Sequence, residues 1–200
     1  WREAQDELGQ RFEISFNAYK PFACGIVIHP SIDACAQLRA QGVKAEEVKS
    51  IELRVHPLVL ELTGKKTPQD GLQGKFSVYH GCAVGLIFGR AGEEEFSDHI
   101  VRREDVVSLR DKVQAVVDTS VREESVYVTA HLNDGRSVKV HVEHAIGSLQ
   151  KPMTDADLES KFRDLSDPIL GAARVNDILK TCWSLGKAPN LQSLLALLKP

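Results

Sequence analysis

The sequence lacks the features that mark several large classes of protein. Its 200 residues contain no apolar run of membrane-spanning length and no signal-type segment at the start. A formal net charge of −3 gives no electrostatic reason to expect nucleic acid or an anionic membrane as a partner. GxGxxG, the P-loop, GxSxG and HExxH are also absent. The first residue is Trp1 rather than Met, which indicates a processed chain or a piece of a longer one.

The spacing of the cysteines and histidines argues against a CxxC motif and against a metal site formed by a histidine pair. The four cysteines show no CxxC pairing and stand mostly among apolar, helix-like neighbours: Cys24, Cys35, Cys82 and Cys182. We therefore expect buried free thiols and a reducing compartment, either the cytoplasm or an organelle matrix. His141 and His144 are three apart in a predicted strand, so they point to opposite faces and make a poor metal pair.

What the sequence does contain is an ordinary globular composition, 42% hydrophobic and 26% charged, with two successive patterns. Between Lys20 and about residue 146, helix and strand signals are mixed. After Gly147 the pattern is helical throughout, and Thr154 is placed as a helix cap. The predicted fold class is α+β, a small antiparallel sheet covered by helices and followed by C-terminal helices.

Individual segments carry more specific predictions. Helices are expected from His29-Pro30 and over "KFSVYHGCAVGLIFG", and one charged helix over "EEEFSDHIVRREDVVSLRDKV". Strands are expected in "VKSIELRV", "VQAVVD", "SVYVTAHLND" and "RSVKVHVEH", the last two joined by an Asp-Gly turn. The stretch "RFEISF" reads as extended and "LTGKKTPQDGLQG" as a loop.

Two places offer chemistry. The first is the loop that carries Lys20, Cys24, Gly25 and His29, because a lysine beside a helix N-terminus suits a carboxylate. Gly25 would let a substrate approach the backbone closely. We therefore take the loop as the first candidate for binding an acid.

The second place is the helix that carries Ser77, Tyr79 and His80. Its imidazole lies in an apolar stripe, which disfavours the charged form and suits proton transfer near neutral pH. A core histidine bonded to a carbonyl oxygen explains the same spacing, so both interpretations stay open here.

The same two places carry a family resemblance. "KPFACGIVIHPSIDA", "GKFSVYHGCAVGLIFG" and the later "GSLQKPMTDADLESKFRDL" resemble three blocks of the MmgE/PrpD family, in the family's order. That family includes 2-methylcitrate dehydratase, cis-aconitate decarboxylase and iminodisuccinate epimerase. Phe22 stands where the family usually has tyrosine. The similarity runs from about Gln10 to the C-terminus.

The resemblance implies a domain plan in which this chain is the C-terminal portion of the family fold. Residues 1–19 would end a preceding helical domain, residues 20–150 would form an α+β lid, and residues 151–200 would be helices that pack on the helical domain. The N-terminal helical half would be missing, so the chain alone would be inactive. A homodimer through the helical domain is expected.

The resemblance also implies roles for single residues. Lys20 matches a lysine at the cleft entrance and would hold a substrate carboxylate. Gly25 stands where decarboxylase-type members have a catalytic histidine, which argues against decarboxylation. His29 would support the site, and His80 takes the place of an active-site tyrosine. Lys20 and His80 are thus the predicted catalytic pair, and Gly25, His29, Ser77 and Tyr79 complete the predicted substrate site.

The expected function is a lyase that removes water from a small di- or tricarboxylic hydroxy acid. Isomerase or epimerase chemistry starts from the same proton abstraction, and a non-enzymatic ligand-binding or dimerisation module is a further alternative. A family member that has lost activity is a third possibility. No metal, cluster or nucleotide cofactor is implied.

Overall fold

A computed structural model describes residues 7–199, which divide into two compact units. The first unit ends at Pro152 and the second begins at Met153. In the described part of the chain, no helix is long and apolar enough to cross a membrane.

The first unit is built on a four-stranded sheet in the order β2-β1-β3-β4. Its strands are β1 (Val48–Val55), β2 (Val113–Val117), β3 (Val126–Leu132) and β4 (Ser137–Val142). β1 pairs with β3 and β3 with β4 in antiparallel fashion, while β1 and β2 run parallel. The α+β class is therefore confirmed, with a sheet that is mostly antiparallel. The parallel pair is possible because a long helical crossover separates β1 from β2.

Helices cover one face of this sheet and leave the other open. The helices of this unit are α1 (His29–Ala40), α2 (Pro57–Thr63), α3 (Gly71–Gly74), α4 (Val78–Phe88), α5 (Asp98–Val101) and α6 (Glu104–Arg110). Of these, α1, α2 and α4 contact the strands, and the others pack mainly on helices. Alternate strand residues such as Ile51, Leu53 and Val128 are buried beneath them. The intervening residues form a ladder on the open face, where the Tyr127 and His141 rings stack at 4.0 Å.

Helices α1 and α4 pack closely and run in the same direction. A Cβ atom at Gly81 would meet Ile28 and Ile32, one at Gly85 would meet Ile32 and Cys35, and one at Gly89 would meet Arg39. The contacts thus advance along both helices together, from their N-termini to their C-termini. The approach is close enough that a Cβ at Gly85 would lie 2.9 Å from the carbonyl oxygen of Ile32.

Three local predictions were wrong. "RFEISF" contains a 3-10 turn, Glu13–Phe16, rather than an extended segment. The predicted loop "LTGKKTPQDGLQG" begins with the last two residues of α2 and ends in helix α3, because the Asp70 carboxylate accepts a hydrogen bond from the N–H of Gln73 and caps that helix. The charged stretch is divided into a 3-10 turn, α5 and α6, because Ser97 accepts a hydrogen bond from the N–H of Ile100 and starts a new helix.

The second unit consists of α7 (Asp155–Leu170), α8 (Ala172–Trp183) and α9 (Gln192–Leu197). Thr154 and Asp157 form a reciprocal capping box at the start of α7, as the cap prediction required. Few side chains of this unit are buried, chiefly Val175, Ile178 and Leu179.

Substitution of Gly85 by alanine should destabilise the first unit by about 1–3 kcal/mol, because the new methyl group would press against the backbone of Ile32. Denaturant unfolding followed by circular dichroism measures the change. Gly186 is the control, since nothing lies within 4 Å of a Cβ built there. Gly186→Ala should change the free energy of unfolding by less than about 0.5 kcal/mol. Equal effects of the two substitutions would contradict close packing of α1 on α4.

Candidate active site

The loop before α1 is fastened at its beginning by a contact with a distant part of the chain. The N–H of Tyr19 donates to the carbonyl oxygen of Gly147 at 2.9 Å. Gly147 has a φ of +89°, and a Cβ there would lie 2.1 Å from the carbonyl oxygen of Tyr19, so only glycine fits. This contact fixes where Lys20 begins the loop.

Lys20 closes the loop on itself at the surface of the unit. Its Nζ donates to the carbonyl oxygen of Cys24 at 3.2 Å, and its side chain is exposed. Burial raises the pKa of the Cys24 thiol to about 12, while the positive charges of Lys20 and Lys75 oppose that rise. Both ammonium groups therefore lie near the same sulfur atom.

Lys75 is a neighbour of Lys20 that the sequence analysis missed. Its carbonyl oxygen accepts a hydrogen bond from the N–H of Gly25 at 3.1 Å, which joins the loop to the start of α4. Its ammonium group pairs with Glu93, Nζ to Oε2, at 2.6 Å. A signal was present, because Lys75 lies two residues before the serine that caps α4. We call Lys20, Cys24, Gly25 and Lys75 together the two-lysine loop.

The helix N-termini add positive potential at the same end of the unit. Gly25 precedes the 3-10 turn Ile26–Ile28, which leads directly into α1. Ser77 caps α4, its Oγ accepting from the N–H of His80 at 3.1 Å. Because α1 and α4 are parallel, the partial positive charges of both N-termini fall on one side. An anion beside Lys20 would benefit from both.

The structure gives Gly25 and Ser77 mainly structural roles within this unit. The N–H of Gly25 is occupied by Lys75, and a Cβ at Gly25 would lie 3.2 Å from the methyl group of Thr63. Ser77 is fully buried, and its hydroxyl oxygen accepts the hydrogen bond that caps α4. Substrate contact by either residue stays a prediction, and it would not use the Gly25 amide as a donor.

His80 is enclosed in the core rather than exposed at the two-lysine loop. Its ring has no exposed surface, and Nε2 lies 2.9 Å from the carbonyl oxygen of Glu95. Phe96 packs edge-on at 5.4 Å between ring centroids. Burial lowers the pKa of His80 to about 4, only partly offset by the bond to Glu95. This is the core-histidine arrangement that the spacing also allowed, so proton transfer by His80 stays a prediction.

The two remaining predicted residues are also buried. His29 begins α1, where Phe22 packs edge-on against its ring at 5.3 Å between centroids. Tyr79 is 5% exposed, and the Lys66 ammonium lies 5.7 Å from its ring centroid. Burial raises the pKa of the Tyr79 phenol. Of the predicted site, the structure therefore brings only Lys20 and Gly25 to an accessible loop.

The cysteine prediction is correct only in part. All four thiols are free, but Cys182 is exposed while the other three are buried. Within residues 7–199, no three histidine, cysteine or acidic side chains come together in a way that could hold a metal ion.

Comparison with known proteins gives one family and several relatives. The model of the "MmgE/PrpD C-terminal domain" matches residues 22–185. The chain is 23% identical over 151 residues to the 2-methylcitrate dehydratase of Escherichia coli K12, covering 70% of this chain and 31% of that protein. It is 22% identical over 209 residues to a cis-aconitate decarboxylase-like protein of Aspergillus oryzae, covering 98% and 43%. The chain thus spans less than half the length of either relative.

The buried His80 should make stability depend on pH. Its pKa is 6.5 in an ordinary setting and about 4 here. Between these two values, the histidine is protonated in the unfolded chain and neutral in the folded chain. This stabilisation is complete above about pH 6.5 and is lost as the pH falls towards 4, by roughly 3 kcal/mol. Urea unfolding across this window should show the slope.

His80→Gln removes the titrating group and should flatten the curve between about pH 4 and 6.5. His99 is exposed, so His99→Gln is the matched control and should leave the curve unchanged. An unchanged slope in His80→Gln would show that His80 does not titrate as a core histidine.

Proposed function

Because the chain belongs to the MmgE/PrpD family, through its C-terminal domain, we propose that it supplies the carboxylate-binding side of a lyase active site. The proposed reaction is the dehydration of a small hydroxy di- or tricarboxylic acid, of the 2-methylcitrate class. The relatives named 2-methylcitrate dehydratase support dehydration of such an acid.

The observation that carries the proposal is the two-lysine loop at the paired helix N-termini. Lys20 is at the surface, its ammonium group oriented by the carbonyl oxygen of Cys24. The charge of Lys75 acts on the same Cys24 thiol as that of Lys20, and the Lys75 ammonium is paired with Glu93. The Lys20 ammonium donates to a neutral carbonyl oxygen, and the Lys75 ammonium is paired with a carboxylate that a second anion could replace. A substrate with two or three carboxylates matches this arrangement.

The chemistry assigned to the loop is charge neutralisation. A proton on a carbon next to a carboxylate is weakly acidic, because its removal places further negative charge on an anionic group. An ammonium bound to that carboxylate stabilises the developing charge. The electron pair of the broken C–H bond forms the double bond, and hydroxide leaves the neighbouring carbon with a proton as water.

The proton-transfer groups are proposed to come mainly from elsewhere in the complete protein. His80 remains a candidate only if the surroundings of its ring open, because both ring nitrogens are buried and one is bonded to Glu95. We propose that the 200 residues alone bind the acid without converting it. A helical domain N-terminal to this chain, a homodimer through that domain and a cytoplasmic location complete the proposal.

Dehydratase activity is tested on the complete encoded protein and, in parallel, on residues 1–200 alone. With 2-methylcitrate or citrate, the complete protein should produce ultraviolet absorbance from the new conjugated double bond, and the 200 residues alone should not. Running the reaction in D₂O separates the alternatives. If deuterium enters the recovered acid without a rise in absorbance, the reaction is epimerisation rather than dehydration. Binding with neither signal would favour a non-enzymatic module.

Replacement of Lys20 by glutamine should raise the KM of the complete protein for the acid by about tenfold or more and lower kcat as well, because the lost charge acts on both substrate and transition state. Lys75→Gln should raise KM by a smaller factor, since Glu93 already compensates its charge. Lys49 is exposed on β1, and Lys49→Gln is the control that should leave both constants unchanged. Equal changes in KM and kcat for Lys20→Gln and Lys49→Gln would show that the two-lysine loop does not bind the substrate.

A further inference from the structure

A second cleft lies at the opposite end of the α1–α4 pair. It has a volume of about 440 Å³ and is bordered by the C-terminal ends of α1 and α4, by α6 and by Lys112 ahead of β2. Since α4 has 11 residues, this end is about 16 Å from the two-lysine loop. The volume falls in the range of small-molecule sites.

Three basic side chains surround this cleft, namely Arg39, Lys44 and Lys112. In the described part of the chain, none of the three has a carboxylate partner within ion-pair distance. Two of them are oriented by neutral backbone oxygens. Arg39 Nη1 donates to the carbonyl of Leu86 at 3.3 Å, and Lys112 Nζ donates to the carbonyl of Val48 at 2.7 Å. Their charge is therefore positioned but not neutralised by a side chain.

The acidic groups at the cleft do not cancel this charge. Asp105 is already bound by Arg103 through two hydrogen bonds of 2.6 Å each, Nε to Oδ1 and Nη2 to Oδ2. That pairing lowers the pKa of Asp105, which stays ionised and compensated. Glu46 is exposed and is the one other carboxylate among the described lining residues. Among the side chains, positive charge therefore remains in excess, and it faces the partial negative charge of the C-terminal ends of α1 and α4.

The rest of the wall is apolar with one hydroxyl. Ala45, Ile87 and Leu109 supply carbon surface, and Ser108 supplies a donor and acceptor. Arg39 lies across the end of α4, where a Cβ at Gly89 would come within 3.1 Å of its Cδ. The arginine is thus held against the helix pair rather than extended freely into solvent.

We propose that this cleft is a second ligand site, for a small organic anion with a short apolar body. Arg39, Lys44 and Lys112 bind its negative groups, and Ile87 and Leu109 contact its carbon skeleton. A dicarboxylate of four to six carbons has this chemistry. The site does not depend on the proposed lyase function, because it uses none of the residues of the two-lysine loop.

The test uses the 200-residue chain labelled with nitrogen-15, with succinate, 2,2-dimethylsuccinate and sulfate as probes. Saturable amide shifts are expected at Lys44, Ser108 and Lys112. Dimethylsuccinate should bind several-fold more tightly than succinate because it adds methyl groups at equal charge. Equal binding of all three probes would indicate charge attraction alone and would overturn the proposal.

Variants separate this site from other basic surfaces. Lys44 is exposed, so Lys44→Gln should not disturb folding. It should weaken the binding of dimethylsuccinate by at least about threefold, and Lys112→Gln should weaken that binding by about tenfold. Lys139→Gln, on the open face of the sheet, should have no effect, and Lys20→Gln should leave the shift at Ser108 intact. Unaltered affinity in Lys44→Gln and Lys112→Gln, or shifts that spread over all surface lysines, would refute the site.

Discussion

The close packing of α1 on α4 is the constraint on which the rest of the first unit depends. Glycines on α4 let the two backbones approach so closely that a Cβ at Gly85 would lie 2.9 Å from the carbonyl oxygen of Ile32, and the helices keep the same direction along the whole contact. Because helix dipoles then add rather than cancel, the unit acquires an electropositive end and an electronegative end. The two-lysine loop lies at the first, and the basic side chains of the second cleft lie at the other.

This polarity explains why the two ends use their cations differently. At the N-terminal end, Lys20 adds to a potential that is already positive, which suits binding of an external anion. At the C-terminal end, one N–H of Arg39 donates to the carbonyl oxygen of Leu86, and the other guanidinium donors remain for a ligand. Basic side chains at the two ends of the unit thus face helix termini of opposite partial charge.

Much of the fold could be predicted from sequence, because β3 and β4 alternate, β1 alternates from Ile51 onward, and Ser77 and Thr154 are strong caps. The direction of β2 could not, since a five-residue strand pairs equally well either way and the crossover decides. The candidate site was harder to predict than the fold. Lys20 was visible from its position before a helix, but burial of His80 under Phe96 depends on a long-range contact with no local periodicity. Lys75 was overlooked because its partner Glu93 is 18 residues away.

The contact between Tyr19 and Gly147 has a consequence for how the first unit can be inherited. The backbone at Tyr19 and the backbone at Gly147 are joined by one hydrogen bond, so the intervening 127 residues begin and end at neighbouring points. A segment whose two ends meet in this way can be inserted into another protein, or exchanged, at a single point of the surface. The two-lysine loop lies inside this segment and can therefore vary together with it as one module.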